Sequence, residues 1–229
     1  MHCEMERVLR VKADVRIASD VIQTSMQLTV VFEHWHLGDG NYPAFAVGQE
    51  ARLSFEFDVT SAELADEATH DELRQLRDAE YEVVGRVIRQ YPEGLSSRFP
   101  VIESEWLRFY CPTSDASDLP LGSRVRLRGR LALDHYQWVE FLDRYPDPPD
   151  LFYPVRVVRI RRVEIPERFI DGSAESWHPT FVGADEYHAD DVHEVDMVRD
   201  DNERPSFSLI DLEFLPPGAG PQRPTFIGA

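Results

Sequence analysis

The sequence predicts a mainly β protein: an antiparallel small barrel with a β-rich region before it, one long helix, and an acidic, irregular C-terminal tail. Three observations carry this. In residues 121–142, LGSRVRLRGRLALDHYQWVEFL, Val125, Leu127, Gly129, Leu131 and Leu133 fall on one side of an extended chain. Arg124, Arg126, Arg128 and Arg130 fall on the other, which is the period of a half-buried strand. Further short runs rich in β-branched and aromatic residues are separated by Gly, Pro, Asp and Asn, residues that end strands rather than continue them. After residue 170 the periodicity stops. From Asp171 onward there are 13 acidic and 3 basic residues, a net of −10 out of −18 for the whole chain.

In chain order, residues 6–19 alternate Arg7, Leu9, Val11, Ala13, Val15 and Ile17 with Val8, Arg10, Lys12 and Asp14, an edge-type strand. Residues 27–35 (QLTVVFEHW) make a stronger strand, and 37–43 (LGDGNYP) a sharp loop, since Gly, Asp and Asn tolerate positive φ and Pro restricts the exit. Residues 48–60 alternate again, with Ala51, Leu53, Phe55 and Phe57 against Arg52, Ser54, Glu56 and Asp58. Thr60 followed by Glu63 is a capping-box pattern, and helix formers continue with a thin stripe of Leu64, Ala65, Ala68, Leu73 and Leu76. The expected long helix is therefore 61–80, its acidic side solvated. Strands follow at 81–91, broken by Gly85, and at 102–110, separated by Pro- and Ser-rich loops. After the central stretch with its return strand at 138–142, three prolines in 145–150 (YPDPPD) exclude regular structure. Residues 152–165 close the folded part as a long strand with a bulge expected at Val157 and Val158.

The domain division that results is a β-rich region at 1–60, the helix at 61–80, a barrel at 81–170 and a tail at 171–229. Residues 1–170 also fit a single compact domain. The tail reads as disordered or as an extended wrap. Within it, 207–215 (FSLIDLEFL) lies between Pro205 and Pro216 and reads as a docking segment for the barrel or for a partner, through Phe207, Leu209, Ile210, Leu212 and Phe214.

The strands at 81–91, 102–110, 121–133 and 152–165 resemble an OB-fold over about residues 81–166. An early V-x-G-x-V is matched by Val83, Gly85 and Val87, and a later G-x-x-V-x-V-x-G-x-L by Gly122, Val125, Leu127, Gly129 and Leu131. The chain departs from the pattern in two places: a Pro-rich loop stands where the helix between the third and fourth strands is usual, and a long β-rich region precedes the barrel. OB-folds often bind single-stranded nucleic acid with aromatic residues on a basic groove. The resemblance thus implies a ligand face of Arg124, Arg126, Arg128 and Arg130 with Trp106, Phe109, Tyr136 and Trp138. The plainer reading of these aromatics is core or rim packing.

Charge and motifs narrow the function classes. A formal charge of −18 opposes general nucleic-acid affinity, which relies on cations for counterion release. Of 24 basic residues only Lys12 is a lysine, an arginine bias that points first to a GC-rich, bacterial genome. Cys3 and Cys111 make neither a disulfide framework nor a zinc spacing, and no apolar run approaches a membrane span. The expected setting is a reduced cytoplasm, with no cofactor and no membrane.

His34 and His36, two apart in an expected strand, share a face and with Asp39 form the best metal candidate. No G-x-S-x-G, H-E-x-x-H, P-loop or dinucleotide fingerprint occurs. The expectation is a non-catalytic protein-binding module, an accessory subunit or inhibitor. The alternatives are a single-stranded nucleic-acid binder restrained by its own acidic tail, and a metal-dependent enzyme centred on His34, His36 and Asp39.

Overall fold

A computed structural model describes residues 26–93, 97–112, 116, 118–134, 138, 147–164, 187–195 and 207–226. The expected strand at 6–19, the return strand at 138–142 apart from Trp138, Tyr136, and the tail at 171–186 and 196–206 lie outside the described residues. The elements are β1 (Gln27–Glu33), α1 (Trp35–Gly38), β2 (Phe45–Ala46), β3 (Glu50–Leu53), β4 (Phe55–Leu64), β5 (Glu72–Arg77), β6 (Glu80–Glu93), β7 (Ser97–Ser104), β8 (Leu107–Tyr110), β9 (Arg124–Leu133), β10 (Tyr153–Glu164), β11 (His188–Val192), β12 (Glu194–Val195) and β13 (Phe207–Phe214).

Five of these strands close on themselves. β9 pairs antiparallel with β4 along one edge and with β6 along the other. β6 pairs with β7 and β7 with β8. The ring shuts where β8 meets β4 in parallel, at Glu56↔Tyr110. A second path shares the β4–β9 wall. Only Ser54 separates β3 from β4, and β3 pairs with β10, β10 with β13, β13 with β1, and β1 in parallel with β9 at Val31↔Ala132. The molecule is thus a closed, mixed β structure, compatible at the fold level with an OB-like barrel, with extra strands built onto one side.

Alternation decides which side chains meet. Phe55, Phe57 and Val59 of β4, Val125, Leu127 and Leu131 of β9, and Val30 and Phe32 of β1 enter one core that runs through both closed paths. Val155, Val157 and Ile160 of β10 and Ile210 and Leu212 of β13 join it. The opposite phase of the same strands, Val31, Ala132, Val163, Phe207 and Leu209, forms a separate cluster capped by Ala79. The bulge expected in the long strand is present, as a register shift between Val157 and Arg159.

The long helix expected at 61–80 is absent. Residues 60–64 continue β4, 72–77 form β5, and Asp78, at φ +41°, turns the chain directly into β6. Local propensity lost to pairing: Glu63 lies opposite Arg126 of β9, and Arg74 opposite Glu82 of β6. The expected stripe was too thin to bury a helix, and its Leu64 is 63% exposed. The capping-box Thr60 instead donates its hydroxyl to the Arg128 carbonyl at 2.9 Å, where β4 bulges.

The strand that completes the five-membered ring also differs from expectation. The long strand expected at 152–165 is present as β10 (Tyr153–Glu164), but it belongs to the second path, and the ring is completed by β4, which precedes β6 in the chain. The segment at 207–215 is β13, a central strand hydrogen-bonded on both edges, to β1 and to β10.

Candidate functional site

The four arginines of β9 do share an outward face, and the register sets acid opposite Arg126, Arg128 and Arg130, while Arg124 lies opposite Arg86. β4 places Asp58 opposite Arg130 and Glu63 opposite Arg126. β6 places Glu80 opposite Arg130 and Glu82 opposite Arg128, and β5 sets Arg77 and Arg74 against those same two glutamates. Across four strands the charges therefore alternate, as in the row Asp58–Arg130–Glu80–Arg77. The contacts follow: Arg130 to Asp58 at 2.8 Å, Arg124 to Asp71 at 2.5 Å, Arg126 to Glu63 at 3.4 Å and Arg74 to Glu82 at 2.6 Å. The hydrogen bond from Arg74, with Arg126 and Arg128 close by, holds Glu82 below the usual carboxylate range. The exposed pairs among these, Arg126–Glu63 and Arg74–Glu82, add little stability. Their effect is to neutralise a face that phosphate would otherwise find cationic.

Of the aromatic residues expected beside the arginines, the described ones, Trp106, Phe109 and Trp138, are turned elsewhere. Phe109 is buried against Phe57, Trp138 is buried against Tyr110, and Trp106 meets Phe214 edge-on at 4.6 Å. Phe207, Leu209, Ile210 and Leu212 are buried in the β13 strand, and Phe214 packs against the main core. The segment thus docks on the chain's own sheet.

At the expected metal site the chain leaves β1 and winds into α1, so His34 and His36 no longer alternate as in a strand. His34 Nε2 lies 2.8 Å from Ser208 Oγ, while His36 is buried and stacks on Phe32 and Trp35. Asp39 caps the far end of the turn. Among the described residues no group of three or more His, Cys, Asp or Glu side chains is arranged to hold a metal ion.

Two clusters that sequence reasoning missed tie distant elements together. Arg161 of β10 bridges Asp78 of the β5–β6 turn (2.6 Å) and Asp211 of β13 (3.2 Å). Tyr187 donates to the other oxygen of Asp78, and Thr29 of β1 donates to Asp211 at 2.7 Å. Burial works against the charge of Asp78, but the hydrogen bonds from Tyr187 and Arg161 outweigh it and hold the carboxyl below its ordinary range.

The second cluster sits at the seam that shuts the ring. Glu56, Tyr110 and Asp134 are each 0% exposed. The Tyr110 hydroxyl lies 2.7 Å from Glu56 Oε2 and 2.5 Å from Asp134 Oδ1. Asp134 also accepts from Ser54 Oγ at 3.0 Å and from the Trp138 backbone N–H at 3.1 Å, and its carbonyl accepts from Tyr42 at 2.9 Å. Burial first, then the Asp134 charge, pushes the Tyr42 and Tyr110 phenols well above their usual range. Glu56 gave no sequence signal, because alternation put it on the polar side of its strand with Asp58.

Fold and sites together define a closed, mixed β-barrel protein with a self-neutralised charged face. Compared with known proteins, the chain matches no family model, no curated protein and no solved structure.

Proposed function

We propose that the chain is a non-catalytic protein-binding module, an accessory subunit or inhibitor, whose partner presents a basic surface. The observation that carries this is the alternating lattice of charge: Arg126, Arg128 and Arg130 of the sheet face are matched by carboxylates across β4, β9, β6 and β5. With the cations engaged locally and a total of −18, the charge left over for a partner is negative. Such surplus steers cationic surfaces toward the molecule and repels nucleic acid. Among the described residues, Phe109 and Trp138 are buried and so do not serve as a stacking platform.

The test joins crosslinking in the native host to reconstitution. The expected partner is a protein whose contact surface is rich in Lys and Arg, whose affinity for the purified full chain falls with added salt, and whose charge-reversed variants no longer bind. Retention of a single-stranded oligonucleotide by the full chain at low salt, with no protein partner recovered, would overturn the reading.

One observation favours the nucleic-acid alternative. The acidic strand β11 pairs with β10, where Asp191 grips Arg159 through both carboxylate oxygens, at 2.7 and 3.1 Å. This is the tail-on-arginine contact that self-inhibition requires, made to β10 rather than to β9. On this reading Asp190→Asn with Asp191→Asn unmasks binding to single strands in a gel shift; on the leading one the double variant stays as inert toward them as the parent.

A further inference from the structure

At one end of the β6–β9 ladder like charges face each other. The register sets Arg86 directly opposite Arg124, an arrangement that destabilises a sheet unless anions intervene. The Arg124 side chain is 13% exposed, so its cation has lost most of its water and needs a partner. Both anions come from residues 65–71, the stretch that links β4 to β5. Glu67 Oε2 accepts from Arg86 Nη2 at 2.8 Å, and Asp71 Oδ1 accepts from Arg124 Nη1 at 2.5 Å. The hydrogen bond and charge of Arg86, with the backbone N–H and charge of Arg124, hold Glu67 below the usual carboxylate range. Two strands thus donate to one carboxyl. The linking stretch has little else to hold it. Leu64 at its start is 63% exposed and the Glu67 side chain 66%. Its own turn bonds, from Ala68 N–H and Thr69 N–H to Asp66, close it on itself rather than on the barrel.

We propose that Arg86 and Arg124 form a binding site for a phosphate group, filled in this structure by the chain's own Glu67 and Asp71, and that residues 65–71 are a lid the phosphate displaces. The seat is filled one hydrogen bond at a time. Each carboxylate takes a single nitrogen of its guanidinium, and Arg124 Nε has no hydrogen-bond partner among the described residues. An arginine fork pairs best with an oxyanion that takes two N–H groups at once. A phosphate group brings nearly two charges and at least three acceptor oxygens, so one group can serve both guanidiniums where the lid uses two carboxyls. Displacement also returns conformational freedom to the lid backbone. Until then the tethered carboxyls compete at an effective concentration of about millimolar or more, which closes the site to dilute anions. The adjoining rows, where acid is matched to Arg126, Arg128 and Arg130, repel a longer polyanion. The ligand is therefore a lone phosphate, free or carried on a small molecule, and the site does not depend on the identity of any protein partner.

The test titrates the full chain with inorganic phosphate and, in parallel, with phosphoserine, against chloride at equal ionic strength. In nuclear magnetic resonance spectra of the unsubstituted protein, either phosphate probe is expected to shift the Arg86 and Arg124 Nε–H signals and the amide signals of residues 65–71 saturably, and chloride is not. The probe that saturates at the lower concentration tells whether the free ion or a carried phosphate is the ligand. Glu67→Gln combined with Asp71→Asn removes the competitor and should tighten phosphate binding about tenfold or more; adding Arg86→Ala to that pair should abolish it. Absence of a saturable shift in the unsubstituted protein with both probes overturns the proposal without recourse to any variant. So does equal affinity in the parent and the double variant, or binding that survives Arg86→Ala.

Discussion

Gly129 illustrates what a single position decides. A Cβ there would lie 2.1 Å from the Asp58 carbonyl oxygen and 2.8 Å from the Phe57 ring, because β4 bulges between Val59 and Ser61 directly across from it. Neither a strand backbone nor a buried ring can withdraw cheaply. Gly129→Ala is expected to cost about 1–3 kcal/mol, the range for overpacking a filled core, read as a lower urea midpoint; an unchanged midpoint would mean that the strands do not approach so closely. The alternation of 121–133 put this glycine on the same side as Leu127 and Leu131, but what crowds it comes from a strand some 70 residues earlier. Glu56 is the converse case. Its phase was readable, yet burial beneath Tyr110 follows from the β4–β8 pairing, which no local pattern encodes.

Among the elements, β13 is the most informative. Its apolar run was legible, and its position as an inner strand between β1 and β10 was not. Truncating Ile210, a fully buried core residue, to Ala is expected to destabilise the isolated chain by about 2–5 kcal/mol, measured by chemical denaturation. A peptide reserved for a partner would leave that stability untouched. β10 gives a second test. Arg161→Ala leaves Asp78 and Asp211 facing each other without their shared cation, and is expected to cost about 2 kcal/mol, below the range for fully buried pairs because the site is partly exposed.

For the whole molecule, one set of hydrogen-bonded carboxyls governs the acid side of stability. Glu67, Glu82 and Asp191 are held below their ordinary range by hydrogen bonds from Arg86, Arg74 and Arg159, and Asp78 by Tyr187 and Arg161. Groups lowered in the folded state contribute stability that is present above the unfolded carboxylate range and lost as pH falls through their depressed values. Denaturation midpoints across a pH series are therefore expected to drop below about pH 4, and added salt should shrink this contribution, which comes largely from exposed pairs. A midpoint that holds unchanged into acid would contradict the expectation.

By itself the sequence determined that the chain is β-rich, where several strands run, which side chains share a face, and that a small OB-like barrel was the fold to expect. All of these are read from the two-residue period and the turn formers, which depend on neighbours in the chain. Tertiary structure decided the remainder: the closing of the ring by β4, the division of the 61–80 segment between the end of β4, β5 and the turn into β6, and the matching of Arg126, Arg128 and Arg130 by acid from adjacent strands. These outcomes depend on which distant strands bury one another's apolar faces. That free energy is summed over the whole fold, and it outweighs any local preference of a short segment.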